Sequence, residues 1–299
     1  MQFIKNHKIK LIIAVILLTA YYFSLPKILF KNPTSTVIES AEGELLGAKI
    51  AGDGQWRFPQ NDSVPTKFKQ CIIQFEDAYF YKHPGFNPVS IFKAFSQNLK
   101  SNSIKRGGST LTQQVIRLSR KNQQRTYFEK LKEIILSTRL ELKFSKEKIL
   151  ALYASNAPFG GNVVGLDVAS WRYFGRSPNQ LSWSESATLA VLPNAPSLIY
   201  PGKNQQKLLD KRNRLLKKLL DKKIIDKLTY NLTIQEELPQ KPYAIPQIAP
   251  HLLQRIVANQ KGKRVKTSIK YGLQNKVNAL VESHYNELSQ NQINNIAVL

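Results

Sequence analysis

Apolar residues recur at three- and four-residue spacing along most of the chain after Lys67, and this periodicity predicts amphipathic helices. A further helix is predicted over residues 181–192, before Pro193, and a basic amphipathic helix over residues 208–228. Ser145, closely followed by Glu147, is typical of an N-cap that opens another helix. Three sets show the period most clearly: Phe68, Cys71, Ile72 and Phe75; Val89, Phe92, Phe95 and Leu99; and Phe128, Leu131, Ile135 and Leu142. The pattern predicts a mainly α protein.

Strands and turns are predicted on either side of this helical centre. Residues 37–50 alternate as a short strand or hairpin, and Gly160-Gly161-Asn162 interrupts the chain. The prolines between residues 238 and 250 predict an extended linker, followed by a strand over residues 264–269 and a helix over residues 273–288. We therefore expect a connecting segment at residues 31–63, a helical domain at 64–238, and a linker with a further region at 239–299.

The N-terminus combines a basic head with an apolar run. Lys5, Lys8 and Lys10 precede residues 11–25, which are almost wholly apolar, and residues up to Phe30 can lengthen that run toward the roughly 20 residues of a spanning helix. We expect a signal-anchor at residues 11–30, a cytoplasmic tail at residues 1–10, and the rest of the chain outside the cytoplasm. A cleaved signal peptide is the alternative, although no small-x-small cleavage site follows, and a buried core helix is the third interpretation.

Charge narrows the choice of partner. The chain has 44 Lys and Arg against 20 Asp and Glu, which gives a formal net charge of +24. Such an excess indicates an anionic partner, and the extracytoplasmic placement favours anionic lipid or a phosphorylated substrate over nucleic acid. The only cysteine, Cys71, excludes an internal disulfide and a Cys-rich metal centre, and the four scattered histidines make a His-based metal cluster unexpected.

The first pattern with candidate chemistry is Glu76-Asp77, which ends a predicted helix before a turn that includes His83. Acidic residues at a helix C-terminus oppose the macrodipole, and such a local cost often marks a functional site. A carboxylate beside the aromatic residues of this segment would have a raised pKa and suit a general base. A capped surface turn is the purely structural alternative.

The second pattern is the segment Arg106-Gly107-Gly108-Ser109-Thr110-Leu111-Thr112-Gln113-Gln114. Its glycines let the backbone approach a ligand, and at the start of a helix its N–H groups and hydroxyls would face an anion such as pyrophosphate. It lacks the Gly-Lys-Ser/Thr of a Walker loop. A Gly-Gly turn with a Ser N-cap is the structural alternative.

Two further patterns are weaker. The first is an acidic and basic cluster whose spacing suits ordinary i,i+3 ion pairs: Glu129, Lys130, Lys132 and Glu133. The alternative interpretation is a second catalytic carboxylate among phosphate-binding lysines. Residues 145–153 and 158–162 indicate a capped helix that leads into a glycine turn, an architectural feature.

Together and in this order, the four patterns resemble the peptidoglycan glycosyltransferase domain of class A penicillin-binding proteins, particularly the 1C type. The resemblance covers about residues 64–238, with Leu192-Pro193-Asn194-Ala195-Pro196-Ser197 as an additional match. Residues 266–269 and 273–274 look like the lead-in to a transpeptidase domain that the chain does not continue, so residues 239–299 would hold its truncated start, and β-lactam binding is not expected. The resemblance implies a membrane-anchored, lysozyme-like helical fold and polymerisation of lipid II.

The resemblance also implies residue roles. Glu76 would be the general base that deprotonates the acceptor 4-hydroxyl, and Glu133 would assist at the donor pyrophosphate, where basic residues or a divalent cation such as Mg²⁺ would stabilise the leaving group. Inversion at the anomeric carbon needs one displacement and no covalent glycosyl-enzyme. The residues that match or adjoin substrate-binding positions are Asp77, His83, Gly108, Ser109, Thr110, Gln113, Gln114, Arg117, Lys130 and Lys132.

The chain departs from the family pattern at three places. Ala78 stands where Arg is usual, Tyr153-Ala154-Ser155 replaces Tyr-Leu-Asn, and Glu129 replaces a basic residue. Glu129 places a negative charge near the expected pyrophosphate and so bears on donor affinity. A transpeptidase reading of Ser145–Lys148, Ser177–Asn179 and Lys266–Ser268 is rejected, because the first two boxes lie too close together and the third lacks its glycine. A lysozyme-like hydrolase and an inactive scaffold of the cell wall machinery remain as alternatives.

Overall fold

A computed structural model describes residues 8–89, 108–121, 123, 126–293 and 295–296. The expected helix that begins at Val89 lies mostly outside these residues. The first part of the chain forms α1 (Lys8–Tyr22), β1 (Thr36–Glu39), β2 (Leu45–Lys49), β3 (Trp56–Arg57), α2 (Thr66–Glu76), a 3-10 turn (Phe80–Lys82), α3 (Leu111–Ser119), α4 (Tyr127–Lys143) and α5 (Lys146–Asn156). The expected strands at residues 37–50 are confirmed as the antiparallel pair β1–β2.

The second part is also mostly helical. It forms β4 (Pro158–Gly160), β5 (Val163–Val164), α6 (Leu166–Phe174), a 3-10 turn (Pro178–Gln180), α7 (Trp183–Val191), a 3-10 turn (Leu192–Asn194), α8 (Gln205–Asp221), α9 (Lys227–Gln235), α10 (Pro250–Asn259), β6 (Arg264–Lys266) and α11 (Tyr271–Ser289). The prediction of a mainly α protein is confirmed for the described residues.

One predicted helix is wrong in extent. Residues 208–221 make up most of α8 and residues 227–228 begin α9, so the segment is not a single helix. Lys223 has a φ of 57°, a left-handed conformation that ends the helical path, and the Asp226 side chain accepts a hydrogen bond from the Thr229 backbone N–H as the N-cap of α9. The left-handed residue therefore ends one helix and the N-cap begins the next, although the apolar stripe of the sequence is continuous.

The helical core is built from the predicted apolar faces. Helix α2 packs against α7 and α8, while α3 packs against α4 and α5. Phe68, Cys71 and Ile72 on α2 are fully buried, because their three- and four-residue spacing places them on one face. Ser145 caps α5 as expected, with its side chain accepting from the Lys148 backbone N–H. This packing fixes the C-terminus of α2 beside the N-terminus of α3.

A small sheet joins the two ends of the chain. Strand β1 lies between β2 and β6, and it pairs with β6 in parallel, so that Ile38 lies opposite Val265. Arg264 on β6 donates to both Glu39 on β1 and Asp167 on α6. Residues expected in a connecting segment and in a C-terminal region thus share one sheet, and the domain boundaries at 64 and 238 stay predictions.

The first helix contacts the helical core at its C-terminal end. The Tyr21 hydroxyl lies 3.0 Å from Thr138 Oγ1, and Arg139 Nε donates to the Tyr22 carbonyl at 3.1 Å. Within the described part of the chain, no helix combines the length and the apolar character needed to cross a membrane.

Candidate active site

An open cleft of 760 Å³ lies between the C-terminus of α2 and the N-terminus of α3. Of the residues singled out from the sequence, it is lined by Glu76, Asp77, Gly108, Ser109, Thr110, Gln114 and Arg117. Tyr153 on α5 and the Pro193–Asn194 turn complete part of its wall. The structure therefore brings the first two sequence patterns together, although they are far apart in the chain.

Glu76 is the last residue of α2 and is partly buried in this cleft. Burial raises the pKa of its carboxyl group, and the nearby Asp77 adds to this effect. Gln114 Nε2 donates to Glu76 Oε2 at 2.7 Å and, with Lys211 and Arg117, partly offsets the shift. The net result is a pKa above the usual value for glutamate, a direction that suits a general base.

Asp77 is buried and connects α2 to α3. Its Oδ2 accepts from the Leu111 backbone N–H at 3.0 Å and lies 2.9 Å from His83 Nε2. His83 Nδ1 in turn accepts from the Gly85 backbone N–H at 3.2 Å, so Nε2 carries the proton that it donates to Asp77. Asp77 and His83 were predicted to bind substrate; in the described structure their polar atoms are engaged with protein groups that hold the cleft in shape.

The N-terminus of α3 is closed by a capping box. The Thr110 side chain accepts from the Gln113 backbone N–H at 3.1 Å, and the Gln113 side chain accepts from the Thr110 N–H at 3.2 Å. These two N–H groups and that of Leu111 are bonded within the protein, so the expectation that the segment's N–H groups face an anion stays a prediction for the others. The cap is also Thr110, not Ser109, which leaves the Ser109 hydroxyl in the cleft.

Ser109 belongs to a charged cluster between α3 and α4. Arg117 Nε and Nη2 donate to the two carboxylate oxygens of Glu133 at 2.7 and 2.9 Å, and Arg117 Nη2 also reaches Ser109 Oγ at 2.9 Å. Lys130 Nζ lies 2.9 Å from Ser109 Oγ and 3.0 Å from Gln113 Oε1. Desolvation alone would raise the pKa of Glu133, but Arg117 and Lys130 lower it below its usual range. The cluster thus holds an ionised Glu133 and two cations beside the cleft.

A second charged cluster repeats this arrangement one turn away on α4. Arg120 Nη2 donates to Glu129 Oε2 at 2.5 Å, and Lys132 Nζ donates to Glu129 Oε1 at 3.3 Å. Desolvation would raise the pKa of Glu129, but these hydrogen bonds and charges lower it. Lys132 also lies over the Phe128 ring, 4.3 Å from its centroid. The carboxylate of Glu129 is therefore paired with two cations, one helical turn from Glu133.

Two side chains near Glu76 were not predicted as site residues. Lys211 on α8 donates to Asn194 Oδ1 at 2.9 Å and interacts with the Glu76 charge, while burial lowers the pKa of its ammonium group. Tyr153 on α5 is buried and lies in the cleft wall. Lys211 had been assigned only to the basic surface of its helix, and no local signal distinguishes it from the neighbouring lysines.

A divalent cation finds no ready-made protein site in the part of the chain that the structure describes. No three His, Cys, Asp or Glu side chains there are grouped to hold a metal ion. Both oxygens of Glu133 are engaged by Arg117 and Lys130, which is a poor arrangement for a hard cation that needs free oxygen ligands. The described donor set does not fit a protein-held Mg²⁺.

Comparison with known proteins matches this chain to one family model and to several penicillin-binding proteins. The family model described as "Transglycosylase" matches residues 43–220. Penicillin-binding protein 1C of Escherichia coli (strain K12) is 35% identical over 253 residues, covering 84% of this chain and 33% of that protein. Penicillin-binding protein 1A of the same organism is 36% identical over 214 residues, covering 71% of this chain and 25% of that protein.

Among solved structures, the crystal structure of penicillin-binding protein 1A from Haemophilus influenzae aligns with a TM-score of 0.40 and 20% identity, covering 81% of this chain and 28% of that chain. The chain spans about a third or less of the length of these relatives.

Proposed function

We propose that this chain, which belongs to the transglycosylase family, polymerises lipid II into the glycan strands of peptidoglycan by inverting glycosyl transfer. The observation that carries the proposal is the Glu76 carboxylate in its open cleft, with a raised pKa and a hydrogen bond from Gln114. A poised carboxylate beside fixed cations suits a reaction in which a hydroxyl loses a proton while a diphosphate leaves.

In the proposed reaction, Glu76 accepts the proton of the acceptor sugar's 4-hydroxyl as that oxygen attacks the anomeric carbon of the growing chain. The bond from that carbon to the undecaprenyl pyrophosphate oxygen breaks, and a β-1,4 bond forms with inversion. Arg117 and Lys130 stabilise the negative charge of the leaving diphosphate, with Lys132 at the edge of the site. Glu133 fixes the Arg117 guanidinium through its two hydrogen bonds.

No step of this mechanism passes through a metal ion. A divalent cation such as Mg²⁺ would enter as a ligand of the pyrophosphate itself, and the cationic side chains already supply charge neutralisation at that place. Asp77, His83, Thr110 and Gln113 are assigned a supporting role in the proposal, because each is buried and bonded to protein groups.

The proposal also places the protein at the cytoplasmic membrane, with a lysozyme-like catalytic domain on the extracytoplasmic face and the N-terminal helix as a single-pass N-in anchor. The basic head, the apolar residues 11–25 and the net charge of +24 support this placement, since lipid II and the surrounding lipids are anionic. Lipid II and the growing glycan strand are the proposed partners, with anionic lipids and other cell wall synthesis proteins as further contacts in the maintenance of cell shape.

The decisive experiment measures polymerisation of labelled lipid II by the full chain in detergent or vesicles. We expect a glycan product that lengthens with time and is suppressed by moenomycin. Loss of preformed glycan without polymer growth would identify a hydrolase instead. A folded chain that gives neither reaction would support the scaffold alternative.

Glu129 gives a further prediction for the donor site. Glu129→Gln should lower the KM for lipid II by about two- to fivefold with kcat unchanged, because the neutral amide no longer competes with the diphosphate for Arg120 and Lys132. Steady-state kinetics at low salt would measure the effect. Asp221→Asn, which removes the carboxylate of the exposed Lys217–Asp221 pair on α8, is the matched control and should change neither constant. A rise in KM in Glu129→Gln would instead show that Glu129 holds the two cations in their binding positions.

A further inference from the structure

Tyr153 carries a polar group that the mechanism so far does not use. Its side chain is 1% exposed, and its hydroxyl has no hydrogen-bond partner among the described residues. A buried hydroxyl without a hydrogen-bond partner loses its hydration, and no protein hydrogen bond compensates for that loss. Such an unsatisfied group therefore needs a physical explanation. Tyr173 on the neighbouring α6 shows the ordinary solution, because its buried hydroxyl donates to the carbonyl groups of Phe159 and Gly160 at 3.1 and 3.3 Å.

The orphan hydroxyl lies in the wall of the same cleft as Glu76. Burial, with the negative charge of Glu76, raises the pKa of Tyr153 well above its usual value, so the hydroxyl keeps its proton and remains a donor. Other groups act on Glu76 from the elements around it: Gln114 and Arg117 on α3, Lys211 on α8 and the adjacent Asp77. Tyr153 is the neighbour contributed by α5.

The Glu76 carboxylate has capacity for a second bond. Gln114 donates to Oε2, and no hydrogen bond reaches Oε1 from the residues that the structure describes. The terminal torsion of a glutamate is soft and a phenol O–H rotates about its C–O bond, so both groups can reorient toward each other. An unsatisfied donor and an under-bonded carboxylate that line the same cleft attract each other.

We infer that Tyr153 is a positioning residue for Glu76, its hydroxyl donating to the carboxylate oxygen that Gln114 leaves unbonded in the working enzyme. The two donors then hold the carboxylate in one orientation and leave its remaining lone pairs for the proton of the acceptor hydroxyl. The inference rests on the proposed function, since it takes Glu76 to be the general base. The inference gives a positioning role to Tyr153, whose helix was interpreted from the sequence as a purely structural element.

The experiment compares Tyr153→Phe with the matched control Tyr173→Phe in the full chain. Tyr153→Phe should reduce kcat for lipid II polymerisation about tenfold, leave KM within about twofold, and remain folded at the assay temperature. It should also move the acidic limb of the kcat profile to higher pH, because loss of a donor to the ionised carboxylate raises the pKa of Glu76. Tyr173→Phe removes the hydrogen-bond donor of two carbonyl groups and should therefore lower the thermal unfolding midpoint. Its kcat and the acidic limb of its kcat profile should be unchanged.

A direct titration separates this inference from the proposed function. The Glu76 carboxyl signal in ¹³C-glutamate-labelled protein, assigned by its loss in Glu76→Gln, should titrate at higher pH in Tyr153→Phe than in the wild type. An unchanged Glu76 titration, or a fall in kcat that follows a fall in stability with no movement of the acidic limb, would overturn the inference even while the wild type polymerises lipid II. A wild-type chain that does not polymerise would overturn the function, and the titration would still decide the role of Tyr153.

Discussion

Glu76→Gln is expected to reduce lipid II polymerisation by about 10²- to 10⁴-fold, the range in which a general base contributes to a rate. Glutamine nearly matches the shape of glutamate and can still accept a hydrogen bond from Gln114, but it cannot take the proton of the acceptor hydroxyl. The KM should change little, because Glu76 acts on the reacting hydroxyl and the charged diphosphate lies by the Arg117 cluster.

The control for this variant is Glu147→Gln, which removes an exposed carboxylate from the first turn of α5. It should polymerise at the wild-type rate. Kinetics with labelled lipid II, alongside thermal unfolding of both variants, would measure the difference. Substantial polymer from Glu76→Gln would assign the base to another residue and leave the family membership untouched.

The pH dependence of the wild type follows from the same carboxylate. Only ionised Glu76 accepts a proton, so activity is absent below its pKa and rises as the pH increases through it. Because burial raises that pKa, the midpoint of the acidic limb of the pH–activity profile should lie above the pKa of about 4.3 for a free glutamate. The limb should be missing from the residual activity of Glu76→Gln. A limb at or below the free-glutamate value would contradict the conclusion that partial burial raises the pKa of Glu76.

Local signals in the sequence predicted the elements that local interactions determine. The Ser145 cap depends on contacts within one helical turn, and the strands near residues 37–50 on simple alternation, so both could be read from the residues. The acidic end of α2 was recognisable because Glu76 and Asp77 oppose the helix dipole. The continuous stripe over residues 208–228 failed because the left-handed Lys223 and the Asp226 cap act against it.

The rest of the site depends on contacts between distant segments. The N–H groups at the start of α3 were expected to bind an anion, yet Asp77 takes the one on Leu111, and no sequence pattern reveals that pairing. Lys211 and Tyr153 look like ordinary helix residues until α8 and α5 pack beside Glu76. The pairing of β1 with β6 likewise joins segments from opposite ends of the chain. Periodicity indicates which face of a helix is buried, but not which side chains of other segments that face will contact.

Asp77→Ala is expected to cause the largest loss of stability among the variants considered. It leaves the Leu111 backbone N–H and the His83 Nε2–H without their acceptor, and both are buried donors. Each stranded donor costs about 1–3 kcal/mol, so the free energy of unfolding should fall by about 2–6 kcal/mol. The N-terminus of α3 also loses its link to α2, so Gln114 and Arg117 move relative to Glu76 and polymerisation falls even in the fraction that remains folded.

The matched control is Asp62→Ala, because Asp62 also accepts short hydrogen bonds, from Lys148 Nζ at 2.6 and 2.7 Å and from Gln60 Nε2 at 2.7 Å, but on the surface. Water screens that pair and replaces it after mutation, so the expected loss is about 0–1 kcal/mol. Urea unfolding of the two variants in detergent would compare them directly. Equal losses would show that the donors around Asp77 find water or new partners when it is removed. A much larger loss at Asp77 would identify burial as the reason that one aspartate holds the catalytic cleft together while another, with contacts of similar length, is dispensable.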